Sequence, residues 1–92
     1  MTIEQLHNKL IELNISEDRY YLHGLYGSTD DNDKISLVIK KGKYTIEYEV
    51  YHKERGEKDS VNIFFDESEA CEWILKKFID EQSIIKKFNL NT

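Results

Sequence analysis

Proline is absent from this sequence, cysteine occurs once, and glycine only four times in 92 residues. A single cysteine, Cys71, excludes an intrachain disulfide and suits a reducing compartment. Without proline and with little glycine, the chain lacks the composition of a flexible linker, so regular elements joined by short turns are expected. No apolar run approaches the ~20 residues that span a bilayer, so no membrane partner is expected. The start, MTIEQLHNKL, has neither the basic segment nor the continuous apolar core of a signal peptide. These absences leave a cytoplasmic protein as the expectation.

What is present points to one folded domain over residues 1–92. Six Tyr, four Phe and one Trp supply enough apolar surface for a single modest core. The net charge of −5 is unevenly spread: residues 1–33 hold two basic and seven acidic side chains, whereas residues 34–58 hold seven basic and four acidic. The overall sign opposes nonspecific attraction to nucleic acid and favours a basic partner.

A first helix is expected over about residues 3–13, where Ile3, Leu6, Leu10 and Leu13 form one apolar stripe. Thr2 and Gln5 have the spacing of a capping box. RYYLHGLYG, weakened by Gly24, reads as a first strand, and GSTDDND (27–33) as a loop. A second helix begins at DESEACEWILKKF, with Asp66 and Glu69 spaced as a capping box and Cys71, Ile74, Leu75, Phe78 and Ile85 as its stripe. DEQS (80–83) interrupts that pattern, which leaves a bend or a short third helix over 84–89 open.

KISLVIKK and KYTIEYEVYH alternate as half-buried strands do. A two-residue turn at Lys41-Gly42 would set Ile35, Leu37 and Ile39 opposite Tyr48, Ile46 and Tyr44, with Lys34 beside Glu49 on the other face. A second turn at Arg55-Gly56 explains the charged passage YHKERGEKDS as a ribbon tip in water, with Gly56 at positive φ. It would bring Val50 to Val61, Tyr48 to Ile63 and Ile46 to Phe65. Because Glu54 would oppose Glu57 and Lys53 would oppose Lys58, a looser loop over 53–58 satisfies the pattern equally well. The expected fold is α+β: a four-stranded antiparallel meander with an N-terminal and a C-terminal helix on one face, in the order α-β-β-β-β-α.

No motif for catalysis, a metal or a cofactor emerges. His7, His23, His52 and Cys71 share no ligand spacing. DDND lacks the Gly and Glu that complete a calcium loop. Cys71 falls on an apolar stripe, where a thiol acts as a small hydrophobe, and neither G-x-S-x-G nor a phosphate-binding glycine loop occurs. An enzyme is not expected. The element order invites comparison with a double-stranded-RNA-binding domain, but Asp66, Glu67 and Glu69 open the second helix where such a domain places lysines, and they would repel phosphate.

Residues Tyr51 to Phe78, with Glu54-Arg55-Gly56, Phe64-Phe65 and ESEAC, resemble small bacterial immunity proteins of polymorphic-toxin and contact-dependent inhibition systems. The preceding LNISEDRYYLHG is similar to the segment after the first helix of such proteins, so the resemblance covers about half the chain. It implies a stoichiometric antitoxin that binds a cognate toxin protein and blocks its active site or substrate groove. For a nuclease toxin, acidic groups would enter the phosphate-binding groove, with Asp30, Asp31, Asp33, Glu47 and Glu49 as candidates. Glu54 and Arg55 at the ribbon tip complete the candidate partner-binding set, Arg55 because its guanidinium makes bidentate contacts. The same features suit a small non-catalytic regulatory or adaptor domain that binds another protein.

Overall fold

The computed structural model describes the backbone of residues 1–89 and the side chains of residues 1–84. The chain forms α1 (Ile3–Glu12), a 3-10 turn (Glu17–Arg19), β1 (Tyr20–Leu22), β2 (Tyr26–Gly27), β3 (Ile35–Lys41), β4 (Ile46–Glu54), β5 (Glu57–Phe64) and α2 (Glu67–Asn89). The class is α+β with a helix at each end. The sheet is five-stranded and mixed, in the order β2-β1-β3-β4-β5, rather than a four-stranded antiparallel meander.

The extra strand comes from the segment read as one. His23 (φ 52°) and Gly24 (φ 73°) reverse the chain after Leu22, so RYYLHGLYG folds into β1 and β2. β2 runs back alongside β1 and returns the chain to the start of β1. A short loop over 28–34 then starts β3 beside β1 in the same direction, and the two pair in parallel, Tyr20 with Ile35 and Leu22 with Leu37. His23 closes the far end of this pair: its amide donates to the Leu37 carbonyl at 2.7 Å and its Nδ1 accepts from the Ile39 amide at 3.0 Å.

Thr2 and Gln5 do form the capping box that starts α1, and Ile3, Leu6 and Leu10 are buried. Asn14, at φ 60°, turns the chain out of the helix. In α2 the Asp66 carboxylate accepts the Ser68 amide, while the Glu67 carboxylate accepts the amide of Ile3 and joins the two helix starts. The polar DEQS stretch does not break α2, which runs as one helix to Asn89. Gln82 donates to the Leu13 carbonyl and Arg19 pairs with Glu81, so these polar groups hold α2 to the rest of the chain. The Ile85 side chain lies outside the described residues.

One core joins both helices to one face of the sheet: Leu6, Leu10, Tyr20, Leu22, Leu37, Val50, Ala70, Cys71, Ile74 and Phe78 are all buried in it. Trp73 covers the edge of that face, its ring 6.3 Å from Phe64. No helix among the described residues is long and apolar enough to cross a membrane.

Both hairpins depart from the expected registers. β3 and β4 join through a four-residue loop, Gly42–Thr45, and Leu37 faces Val50, Ile39 faces Tyr48 and Lys40 faces Glu47. Gly42 is not among the residues with positive φ, so the tight turn that would place Lys34 beside Glu49 does not form. The shift is four residues, an even number, so every side chain keeps its expected face.

The second turn forms as expected, with Arg55 at φ 52° and Gly56 at φ 82°, and both like-charge pairs are real. Lys53 and Lys58 escape each other because Lys53 reaches Asp31 and Lys58 reaches Glu49. Beyond the tip the register slips by one. His52 faces Asp59, but Val50 faces Asn62 and Tyr48 faces Phe64, so Ser60 and Val61 together oppose Tyr51. This bulge, with Ser60 at φ 53°, reverses β5 beyond it. Phe64 turns to Trp73, and Val61 and Ile63, expected in the core, face outward instead. Phe65 and Ile46 are also exposed.

Candidate functional site

The helix-free face is built from the residues that alternate with the core. Tyr21, Ser36 and Tyr51 align across β1, β3 and β4, and Val38 and Glu49 align one step on. Three of these are polar side chains at low exposure: Ser36 at 0%, Tyr51 at 3% and Glu49 at 6%. All three have partners, the Ser36 hydroxyl donating to the Asp31 carbonyl at 3.4 Å. Glu49 sits between Lys40 of β3, at 2.7 Å, and Lys58 of β5, at 2.8 Å. The Tyr51 hydroxyl donates to Asp31 at 2.6 Å, Lys53 lies 3.4 Å from the same carboxylate, and the Lys58 ammonium stands 4.5 Å from the Tyr51 ring centre.

These bonds latch the 28–34 loop to the start of the ribbon tip. Asp31 is the side-chain half of the latch. The other half is the Asp33 amide, which donates to the Lys53 carbonyl at 2.7 Å. Within the loop, Asp30 accepts the Asn32 amide at 3.0 Å and Lys34 at 3.1 Å. Beside the latch a cleft of about 260 Å³ is lined by Asp18, Arg19, Asp33, Lys34, Ile35, His52, Phe78 and Glu81. Arg19 is committed to Glu81 and stacks 5.3 Å from the Phe78 ring centre. Asp18 and Asp33 add exposed carboxylates at its rim.

Hydrogen bonds to charged forms lower both central carboxyls below the ordinary carboxylate range. For Asp31 the Tyr51 hydroxyl is the main cause, burial opposes it and Lys53 assists. For Glu49 the causes are Lys40 and then Lys58, again against burial. Burial, and then the bond to Asp31, holds the Tyr51 phenol above its usual value. A carboxyl depressed in the folded state stabilises above its unfolded pKa of about 4, and that contribution is lost as pH falls through the lower folded value. The urea midpoint is therefore expected to fall as pH drops from about 5 to about 3. In the Asp31→Asn, Glu49→Gln double variant the fall should be smaller. An equal fall in both proteins would remove these two groups as its cause.

Of the residues singled out in the sequence, Asp30, Asp31, Asp33, Glu54 and Arg55 come together at one end of the sheet. Glu54 and Arg55 are exposed at the tip. Glu49 stands in mid-sheet, enclosed by its two lysines, and Glu47, paired with Lys40, lies toward the opposite end. The three histidines are far apart in role. His23 closes the β1–β3 pair and His52 lines the cleft. His7 accepts from or donates to the Tyr20 hydroxyl at 2.9 Å and stacks on Tyr26. Cys71 is buried, and burial pushes its thiol up to about 11.

Sequence reasoning missed Tyr51 and Lys53 as the latch, Lys40 and Lys58 as the partners of Glu49, and Asp18 and Glu81 at the cleft. The alternation Glu47, Glu49, Tyr51, Lys53 marks a polar face of β4, which signals that such a network exists but not which strand supplies each partner. Among the described residues, no group of three or more His, Cys, Asp or Glu side chains is placed to hold a metal ion. At the opposite end, an open groove of about 640 Å³ runs between the Gly42–Thr45 loop and Phe65, with Tyr44 at 86% exposure. Comparison of the chain with protein-family models, with curated proteins and with solved structures finds no match.

Proposed function

We propose that this chain is an immunity protein, an antitoxin that binds a cognate bacterial toxin domain and neutralises it by occupying its active-site groove. The observation that carries the reading is the latch. Asp31 and the Asp33 amide fasten the acidic loop to the base of the ribbon tip, and so present Asp30, Asp33, Glu54 and Arg55 as one preorganised surface. That surface includes the Glu54-Arg55-Gly56 turn, one of the segments that carry the resemblance to immunity proteins.

The chemistry of the surface fits a basic groove of the kind that a nuclease uses for phosphate. The exposed carboxylates of Asp18, Asp33 and Glu54 attract basic side chains and speed encounter, while Arg55 adds a bidentate donor for a carboxylate or backbone carbonyl. Preorganisation matters because a loop already fixed in place loses little freedom on binding. Inhibition needs no reaction at this site, only a stoichiometric partner held where the toxin's substrate would lie. The protein acts in the cytoplasm, where a sister cell's toxin arrives.

The test is co-expression with a candidate toxin domain encoded upstream of this gene, scored as survival. Wild-type chain is expected to restore growth. The Asp33→Asn, Glu54→Gln double variant and Arg55→Ala should each lower protection at least tenfold, with a melting temperature close to wild type, because a solvated tip carries few core contacts. Purified complex should weaken as salt rises from about 50 to 500 mM. Full protection by all three substitutions together would refute the assigned surface, and no protection by wild type would refute the function.

A further inference from the structure

The core face of the β3–β4 hairpin outruns the elements that cover it. Along that face Leu37 and Val50 are buried, Ile39 and Tyr48 are half-buried, and Lys41 and Ile46, the last pair before the loop, are exposed. β5 gives no cover there, since its last pair is Phe64 with Tyr48 and the chain then enters α2. What remains is the open groove of about 640 Å³, lined by the Gly42–Thr45 loop together with Lys41, Ile46, Tyr48 and Phe65. Single exposed apolar side chains are ordinary, but here Tyr44, Ile46 and Phe65, the last at 67% exposure, meet at one concave site. The loop wall is held in shape. The Gly42 amide donates to the Thr45 carbonyl at 2.7 Å, and the Lys43 ammonium stands 5.4 Å from the Tyr44 ring centre.

We propose that this groove is a second docking site, for an acidic peptide segment of a partner protein. One aromatic or leucine side chain of that segment lies between Tyr44 and Phe65, and carboxylates beside it meet Lys41 and Lys43. Charge selects the occupant. No Asp or Glu is among the lining residues. Ion pairs among the described residues take Lys9, Arg19, Lys34, Lys40, Lys53 and Lys58, and none takes Lys41 or Lys43. Of the nearest acids in sequence, Glu47 alternates with Ile46 onto the helix-free face, and Asp66 is engaged by the Ser68 amide at 3.0 Å. A chain of net −5 therefore presents a locally positive, apolar concavity at the end of the sheet opposite its acidic loop.

Shape and charge together exclude other occupants. Small-molecule sites enclose most of their ligand, whereas this groove is open and suits an extended chain. A nucleic-acid strand also stacks on exposed aromatics, but it carries a phosphate at every nucleotide. Phosphates beyond the reach of Lys41 and Lys43 would meet the field of a net-negative protein. Peptide carboxylates can be few, and placed only where the lysines stand. One buried anchor and two solvent-screened ion pairs give a modest affinity, roughly 10–500 µM. The site shares no residue with the latch and does not depend on the toxin reading.

The probe is the synthetic peptide acetyl-Glu-Asp-Phe-Glu-Asp-amide, titrated into the isotope-labelled full chain and followed by NMR. Amides of residues 41–48 and of Phe65 should shift, and those of the 28–34 loop should not. Affinity should fall at least about threefold as salt rises from about 50 to 500 mM. Tyr44→Ser, and the Lys41→Glu, Lys43→Glu double variant, should each weaken binding at least about tenfold, with melting temperatures near wild type because these side chains are exposed. The Asp33→Asn, Glu54→Gln variant should bind the peptide as wild type does, so loss of toxin protection and loss of peptide binding are separate results. No shift at the groove amides up to about 5 mM peptide overturns the proposal, as does equal affinity for a peptide with lysine in place of each acid. Tighter binding of an oligothymidylate of about eight nucleotides than of the peptide assigns the groove to nucleic acid and overturns it too.

Discussion

Replacing Gly27 with alanine should cost about 2–5 kcal/mol of stability, a large share of what a domain of this size possesses. Gly27 sits at φ 85°, and a Cβ there would stand 2.4 Å from the Tyr20 carbonyl oxygen and 2.7 Å from the Tyr20 ring. Tyr20 cannot give way. It is fully buried, its ring packs edge-on to Phe78, and its hydroxyl is bonded to His7. Moving it would disturb the β1–β2 pair and the core together. Gly56 is the internal control. Its φ of 82° is nearly the same, yet nothing lies within 4 Å of a Cβ placed there. Gly56→Ala should therefore lose only the backbone term, about 1–2 kcal/mol. Urea denaturation of both variants checks the contrast, and equal losses would show that conformation rather than close approach governs Gly27.

Phe78→Ala should be comparably damaging, at about 3–5 kcal/mol. The side chain is 2% exposed and joins α2 to Tyr20, while Arg19 stacks on its other side. Truncation removes the contacts through which β1, α2 and the 3-10 turn meet at this ring and leaves a void among them. Phe78→Leu keeps most of the volume and should cost less than about 1.5 kcal/mol. Phe78 also lines the cleft at the candidate surface. Any loss of protection in Phe78→Ala should therefore track the fall in melting temperature. Loss of protection at the Asp33 and Glu54 carboxylates should not. A Phe78→Ala loss below about 1 kcal/mol would mean that the core does not depend on this contact.

Local pattern was sufficient for several features. The Thr2–Gln5 capping box, the stripe of α1, the start of α2 and the turn at Arg55-Gly56 each depend on residues within a few positions of one another. The division of β3 and β4 into a core face and a polar face was equally legible, because alternation along a strand is a local property. So was the gathering of Glu54 and Arg55 at an exposed tip.

Other features required the tertiary structure. Alternation cannot detect an even slip, so the four-residue shift between β3 and β4 was invisible in the pattern, and with it the enclosure of Glu49 by Lys40 and Lys58. The bulge at Ser60 arises because two constraints demand registers one residue apart: the tip turn sets His52 opposite Asp59, while the sheet beneath α2 sets Tyr48 opposite Phe64, which packs on Trp73. β1 and β2, with three and two residues, are too short to show a period of their own, and only pairing with β3 defines their direction. The latch depends on all of these at once. Asp31 finds Tyr51 and Lys53 because the parallel start of β3 brings its loop to the end of β4, twenty residues further along the chain from Asp31 to Tyr51.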